Sequence, residues 1–452
     1  MDKELALELI GNKQFAALKS DLQEMNPADL AFLISELDEY EDFSEKQLIM
    51  LYRILPKELA AESFTYMDSD TQMKLINIFS DKELRYVIDE LYIDDTVDII
   101  EEMPANVVSR ILRNTDPETR KQINELLKYP KDSAGSVMTT EFVYFDREMT
   151  VKEAFERIRK IGLVKETVYT CYVTEARKLL GVVTVLEMLV ADEDERIEDI
   201  METNVISVNT HDDQENVART MSKYDFAAIP VVDNENRLVG IVTFDDAMDV
   251  LQEENTEDFA KMAAVMPAED SYFKTSVFQH AKSRIPWLLV LMLSAALTGM
   301  ISTQFEAQIA MIPMLVSFMP MVMGTGGNCG SQSSTLIIRG MALEEIRLRD
   351  FFKVIFKEFR IAFLCSVVLA IVNGARIWIT YSDPELAIVI ALSIIGTVIL
   401  AKLVGAMLPM AAKAVKLDPA IMATPLITTV VDSCSLLIYF TIATTILADR
   451  LQ

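Results

Sequence analysis

The sequence predicts an α-helical membrane protein of five transmembrane helices, joined to a cytosolic all-α helical-repeat domain and an α+β pair of repeated modules. Three observations predict it. Acidic residues crowd positions 1–280, where 59 Asp and Glu face 29 Lys and Arg, whereas positions 281–452 hold 10 against 13. Long apolar runs begin only at Ile285. Ahead of them, two kinds of internal repeat follow one another.

The formal net charge of -27 argues against binding nucleic acid and towards cations or basic partners. The start MDKELALELIGNKQF has neither a basic n-region nor the apolar length of a secretory signal, so a cytosolic amino terminus is expected. Four cysteines stand far apart without a CxxC pair, and the histidines are His211 and His280, which disfavours a disulfide framework or a Cys/His zinc site. GTGGNCG is not a GxGxxG fingerprint, and GxxxxGK[ST] is absent. With no nucleophile and base pair in view either, an enzyme is not expected.

Residues 1–130 show helix-period patterns with repeated starts: NPADLAFLISEL, LPKELAAESF, SDKELRYVIDEL, MPANVVSRIL and DPETRKQINEL. Each opens on Asn, Asp, Ser or Pro and continues with apolar residues three or four apart, which predicts a stack of short helices. In residues 131–252, SVMTTEFVYFDREMTVKEAFERI and DIMETNVISVNTHDDQENVARTM align Met138 with Met201. Each copy ends in a β-rich stretch with a glycine, LLGVVTVLEML or RLVGIVTFDDAMDVL. The pattern resembles tandem CBS domains, which form β-α-β-β-α units and bind adenine nucleotides or act as regulatory hinges. GIVTFDD carries Thr243 and Asp246 in a G-h-h-[ST]-x-x-D arrangement resembling a nucleotide site, so ATP is expected as a modulator; GVVTVLE, with Glu187 in the last position, matches less well.

Residues 253–280 are expected to form a connecting (plug) helix, and 281–452 the pore domain. The five spans predicted are Ile285–Thr303, Ile309–Met323, Ile361–Thr380, Leu386–Met410 and Ile421–Leu447, most near the roughly 20 residues a bilayer core requires. Basic residues cluster before the first span, between the second and third, and between the fourth and fifth. That bias puts the amino terminus inside and the carboxyl terminus outside a cell membrane crossed several times. Pro313 and Pro320 interrupt the second span, and Gly324, Gly326, Gly327 and Gly330 after it suggest irregular backbone buried in protein or lining a cavity, the alternative being a loop leaving the membrane.

Within TTVVDSCSLLIYF lies a lone carboxylate, Asp432, the twelfth residue of the fifth span and roughly 17 Å along it. Intramembrane acids usually face an ion path; the bland alternative is a neutral Asp432 bonded to Thr428 or Thr429. Two such carboxylates across a dimer axis, flanked by hydroxyls and carbonyls, suit hydrated Mg²⁺.

The combined pattern, with PMVMGTGGNCGSQSSTLIIRG, LVGAMLP, LDPAIMATPLITTVVD and LLIYF, resembles the MgtE family of magnesium channels over essentially the whole chain. The resemblance implies a homodimer whose second and fifth spans line one pore, with Asp432 carrying hydrated Mg²⁺ beside Asn328, Gln332 and Thr428. Thr424 stands before Pro425 where the family pattern leads one to expect asparagine.

Cytosolic acids offer a gate. Asp94 and Asp98 share a helix face; Asp245, Asp246 and Asp249 close the second module; Glu253, Glu254, Glu257 and Asp258 follow. The similarity points to Glu62, Asp94, Asp98, Glu215, Asp225, Asp246, Asp249, Glu257 and Asp258 as Mg²⁺ bridges, with Asp418 as a further metal position. Bridging would draw repelling surfaces together and close the pore, so high cytosolic Mg²⁺ would stop its own entry. A proton-coupled or exchanging divalent cation carrier and a membrane-anchored nucleotide sensor are the competing readings. A carrier would depend on proton release from Asp432, and a sensor would leave the polar break at Gly324–Gln332 without a reason.

Overall fold

The structure is a computed structural model describing residues 1–40, 42–267, 272, 275–422 and 424–450, with backbone only at 424 and 449. It divides into two compact units, Met1–Gln252 and Glu253–Gln452.

In the first unit short helices follow one another: α1 (Lys3–Gly11), α2 (Phe15–Gln23), α3 (Pro27–Asp38), α4 (Glu45–Ile54) and α5 (Lys57–Thr65). Then come α6 (Ser69–Ile78), α7 (Asp81–Glu90), α8 (Ile93–Glu102), α9 (Ala105–Asn114) and α10 (Pro117–Leu126). The expected start signals act as caps. Asn26 accepts from the Ala28 amide with Pro27 behind it, Ser80 and Glu83 close a capping box, and Asp116 accepts from Glu118 and Thr119. Alternate helices pack on each other, α3 on α5, α5 on α7 and α7 on α9, burying one continuous core that includes Leu30, Leu48, Phe64 and Ile111.

The repeated modules are β1 (Tyr144–Asp146), α11 (Val151–Ile161), β2 (Thr170–Glu175), β3 (Lys178–Thr184) and α12 (Val185–Val190), then, after α13 (Ile197–Ile200), β4 (Val208–Asn209), α14 (Gln214–Tyr224), β5 (Ala228–Val232), β6 (Leu238–Thr243) and α15 (Phe244–Met262). Each sheet pairs its first two strands in parallel and the last two antiparallel. The modules exchange their lead-in segments. Thr139 bridges Ile241 of β6, and Glu202 bridges Val182 of β3. The repeated methionines follow: a Cβ at Gly240 would strike Met138, and one at Gly181 would strike Met201. The glycine of each copy therefore makes room for the methionine of the other.

The second unit holds α16 (Val277–Gln304), α17 (Glu306–Met311), α18 (Met314–Ala342), α19 (Phe351–Tyr381), α20 (Pro384–Ala414) and α21 (Thr424–Ile446). Val277–Gln304, Pro384–Ala414 and Pro419–Ile446 are long and apolar enough to cross a membrane. Helices α18 and α19, of 29 and 31 residues, have the length for it at about 1.5 Å per residue, but the first carries the glycine and hydroxyl run and the second Lys353, Lys357, Glu358 and Arg360.

Two expectations are corrected. The connecting segment is not one helix from 253 to 280: α15 begins inside the second module and stops at Met262. There Ala264 turns left-handed (φ 54) and the Val265 amide reaches back to the Ala260 carbonyl, a helix-ending motif. The glycine cluster is not irregular backbone either. It lies within continuous α18, and no described glycine has positive φ.

Packing explains those glycines. A Cβ at Gly326 would meet Thr397, Val431 and Ser435; one at Gly405 would run into the Gly330 carbonyl. Small residues let helix backbones approach where apolar burial gives little drive between helices in lipid. Gly405→Ala is accordingly expected to lower the detergent-solubilised melting temperature, with an overpacking cost of about 1–3 kcal/mol. Gly299→Ala, where a Cβ meets nothing within 4 Å, should leave that temperature unchanged; equal effects would contradict the packing role.

Candidate cation sites in the two units

Asp432 is the ninth residue of α21, so it sits roughly 12 Å into the helix, closer to its start than the span boundaries implied. Its carboxylate is partly exposed and lies beside Gly327, where an added Cβ would come within 3.9 Å of its Oδ1 and 3.1 Å of Thr428 Cγ2. Thr428 and Thr429 both donate to the Pro425 carbonyl at 2.9 Å. That disposition disfavours the bland alternative in which they bond to Asp432. Asn328 and Gln332 are also exposed, but they line a cavity of about 540 Å³ with Thr325, Cys365 and Lys402. Within one chain they are not brought into one wall with Asp432 and Thr428. The Thr424 side chain lies outside the described residues.

In the first unit, carboxylates converge from α8, from two loops of the first module and from α15. Asp94, Asp95 and Asp98 come from α8, Glu141 and Glu166 from loops of the first module, and Asp245 and Asp246 from the first turn of α15. Burial pushes Asp94 up to about 7, with Asp95 and Glu141 adding to it. Burial, then Asp246 and Asp94, pushes Asp98 up to about 8, although its exposed edge lets solvent screen part of that repulsion. Asp246 is raised to about 7 by burial and Asp94, against the Thr243 hydroxyl that donates to it at 2.5 Å. Glu166 rises to about 8 through burial and then Asp94, Asp245 and Asp246, and Asp95 to about 6 through burial and then Asp246 and Asp245.

Among the described residues no three His, Cys, Asp or Glu are set to hold an ion directly. A hydrated cation nevertheless suits the cluster: Asp94 Oδ1 and Glu166 Oε2 are buried without a hydrogen-bond partner, and uncompensated carboxylate oxygens favour positive charge.

The other candidates stand apart. Glu62 is exposed, and its charge acts with those of Asp95, Asp245 and Glu166 on Tyr66, whose hydroxyl is raised first by desolvation. Asp249 is exposed, raised by partial burial and by Asp245. Glu215 pairs with Arg219 at the start of α14, and Asp225, at φ 56, ends that helix. In the second unit Lys261 joins Glu257 at 2.8 Å to Asp418 at 2.7 Å. Asp418 also accepts from the Ala420 amide at 2.8 Å. Asp258 follows Glu257 on α15, half-buried.

Sequence reasoning passed over Asp95, Glu141, Glu166, Lys261, Glu358 and Lys402. DDTVD could have yielded Asp95, the middle acid of the run, and Lys402 is a lone charge within the fourth predicted span; the others are assembled only by the tertiary fold.

Helices of membrane-crossing length around a half-buried carboxylate, joined to an acidic unit of short helices and two repeated modules, define a multi-pass membrane transport protein with a large acidic domain. Family models agree: "Divalent cation transporter" matches residues 319–442, "MgtE intracellular N domain" 38–132, and "CBS domain" 134–194 and 197–253. The chain is 36% identical to the magnesium transporter MgtE of Thermus thermophilus over 98% of both chains. It is 34% identical to that of Bacillus subtilis over 96% of this chain and 95% of the relative. A crystal structure of the cytosolic domain of the Mg²⁺ channel MgtE in complex with ATP matches 54% of this chain and 98% of its own, at 35% identity and a TM-score of 0.50. The chain belongs to the MgtE family.

Proposed function

We propose that this protein conducts Mg²⁺ into the cell past Asp432 and is closed by cytosolic Mg²⁺ acting on its acidic domains, with ATP as a modulator. It acts as a transporter and not an enzyme, as a homodimer in the cell membrane, with its amino terminus in the cytosol and its carboxyl terminus outside. The observation that carries the reading is the half-buried Asp432 carboxylate against Gly327 in a bundle of membrane-length helices. A carboxylate open to hydrated ions and backed by glycine suits an ion that keeps several waters. The basic residues flanking the spans support the orientation, and a shared two-fold pore supports the dimer.

Gating follows from the acid cluster. Facing carboxylates from α8 and α15 repel when ionised, so this arrangement is held by protons or cations. A bound divalent cation supplies the positive charge; Asp94, Asp98, Asp246 and Glu166 supply the oxygens. Potential-driven Mg²⁺ uptake into dye-loaded liposomes tests conduction. Uptake that vanishes when a proton gradient is collapsed would favour the carrier instead.

A pH dependence is expected for residues 1–252. The raised carboxyls keep their protons in the folded unit at pH values where the unfolded chain, titrating near pH 4, has released them. The stability these groups contribute is then fully present below about pH 4 and is lost as pH rises through the folded values of about 6 to 8. Without divalent cations the melting temperature should drop by about 5 °C or more between pH 5 and pH 8.5. Mg²⁺ should restore it at pH 8.5 and do little at pH 5, because cations bind the deprotonated groups. A flat profile would contradict the cluster.

For ATP, Thr243 and Asp246 are already bonded to one another, and Asp246 also serves the acid cluster. Calorimetric titration of residues 1–252 with ATP should give saturable heat that Asp246→Ala removes; no heat in the unaltered unit would end the nucleotide reading.

A further inference from the structure

Among the described residues, one acid and one base, Glu358 and Lys402, are buried in the helices of the second unit away from Asp432. Glu358 of α19 is 6% exposed and Lys402 of α20 is 5% exposed. Ser333 of α18 stands between them, donating to Glu358 Oε2 at 2.6 Å and accepting from Lys402 Nζ at 3.3 Å. Lys402 also forms part of the wall of the cavity of about 540 Å³ that holds the side chains of Thr325, Asn328 and Gln332.

At roughly 100° per residue, Asn328 and Gln332 are turned roughly 100° and 140° around α18 from Gly327, the residue that backs Asp432. Ser333 is six residues beyond Gly327, roughly 9 Å along the helix. The two faces of α18 thus carry different electrostatics. One packs beside the Asp432 carboxylate of α21, which is open to cations; the other carries the Asn328 and Gln332 amides, with Ser333 roughly 100° further round linking Lys402 to Glu358. Without the ammonium, the Thr325 hydroxyl and the Asn328 and Gln332 amides would stand in a cavity otherwise walled by Leu364, Val368 and Leu369, next to a buried negative charge that draws cations.

We propose that Lys402 is a specificity-determining residue, a tethered cation that neutralises Glu358 through Ser333 and so closes the Asn328 and Gln332 face of α18 to free cations. Ion passage is thereby confined to the Asp432 face. Removing one partner of a buried pair leaves its counter-charge uncompensated, which is costly unless another cation takes the place. The inference rests on the conduction reading above and adds what excludes other ions.

The test is Lys402→Met in the full-length protein in liposomes, with the ratio of K⁺ to Mg²⁺ permeability read from zero-current potentials. The expected result is a rise in that ratio of about tenfold, as charged rings and their loss govern which ions pass. The K⁺ leak should persist in an Asp432→Ala background and disappear in Lys402→Met/Glu358→Gln, where both charges are gone. Lys402→Gln, which can still donate to Ser333, replaces the methionine variant if the latter does not fold. An unchanged ratio in a folded single variant, or a leak that survives in the double variant, overturns the proposal. Wild-type vesicles that pass no Mg²⁺ would overturn the conduction reading instead.

Discussion

Asp432→Ala is expected to abolish potential-driven Mg²⁺ influx while leaving the protein folded and dimeric. A divalent ion about 6 Å from a carboxylate, separated by one layer of its own water, is attracted by about 5 kcal/mol at an effective dielectric of 20. Losing even half of that lowers ion occupancy by roughly 100-fold. Thr428 cannot substitute, because its hydroxyl, which donates to the Pro425 carbonyl, offers a cation a neutral oxygen and no negative charge. Flux read with a Mg²⁺ dye, beside size-exclusion chromatography of the variant, checks both halves of the expectation. Influx within a few-fold of wild type would move the ion path elsewhere.

The second large effect is loss of shut-off. Asp94→Asn, Asp98→Asn and Asp246→Asn together remove charged oxygens that a bridging cation needs, so Mg²⁺ should no longer hold the closed arrangement at its usual concentration. Coupling of about 1–3 kcal/mol corresponds to a roughly 5–150-fold shift, and the Mg²⁺ concentration that halves flux should rise by about tenfold or more. A patch recording with Mg²⁺ varied on the cytosolic face measures it directly. Unaltered inhibition in the triple variant would separate these acids from the gate.

Much of this architecture is legible in sequence because its signals are local. Helix caps such as Asn26 and Ser80 lie beside the helices they start, and the module repeat shows through the paired Met138 and Met201. A carboxylate amid apolar residues announces Asp432 without any fold. The misreadings arise where one composition serves two purposes. Gly326 and Gly330 fit irregular backbone and close helix packing equally well until the positions of Gly405 and Thr397 are known. Acidic residues from 253 onward suggest a long helix, yet Ala264 ends it by a backbone turn that alanine composition does not advertise.

The sites were legible only in part for a related reason. Asp94, Asp98 and Asp246 are visible as helix-spaced acids, whereas Glu141 and Glu166 join them by the folding of a loop. Lys261 is an ordinary helix lysine until it meets Asp418, more than 150 residues later in the chain. Glu358 looks like the polar end of an apolar span and Lys402 like a lone charge inside one until Ser333 brings them together.

The central claim is Mg²⁺ entry that is stopped by Mg²⁺ on the cytosolic side. The measurement that tests it most directly is Mg²⁺ current through the purified full-length protein in a planar bilayer, recorded first without and then with Mg²⁺ on the side exposing residues 1–252. The account predicts current carried by Mg²⁺ in the first condition and its suppression in the second. Folded protein that carries no Mg²⁺ current in the first condition, or a current indifferent to Mg²⁺ on that side, would contradict it.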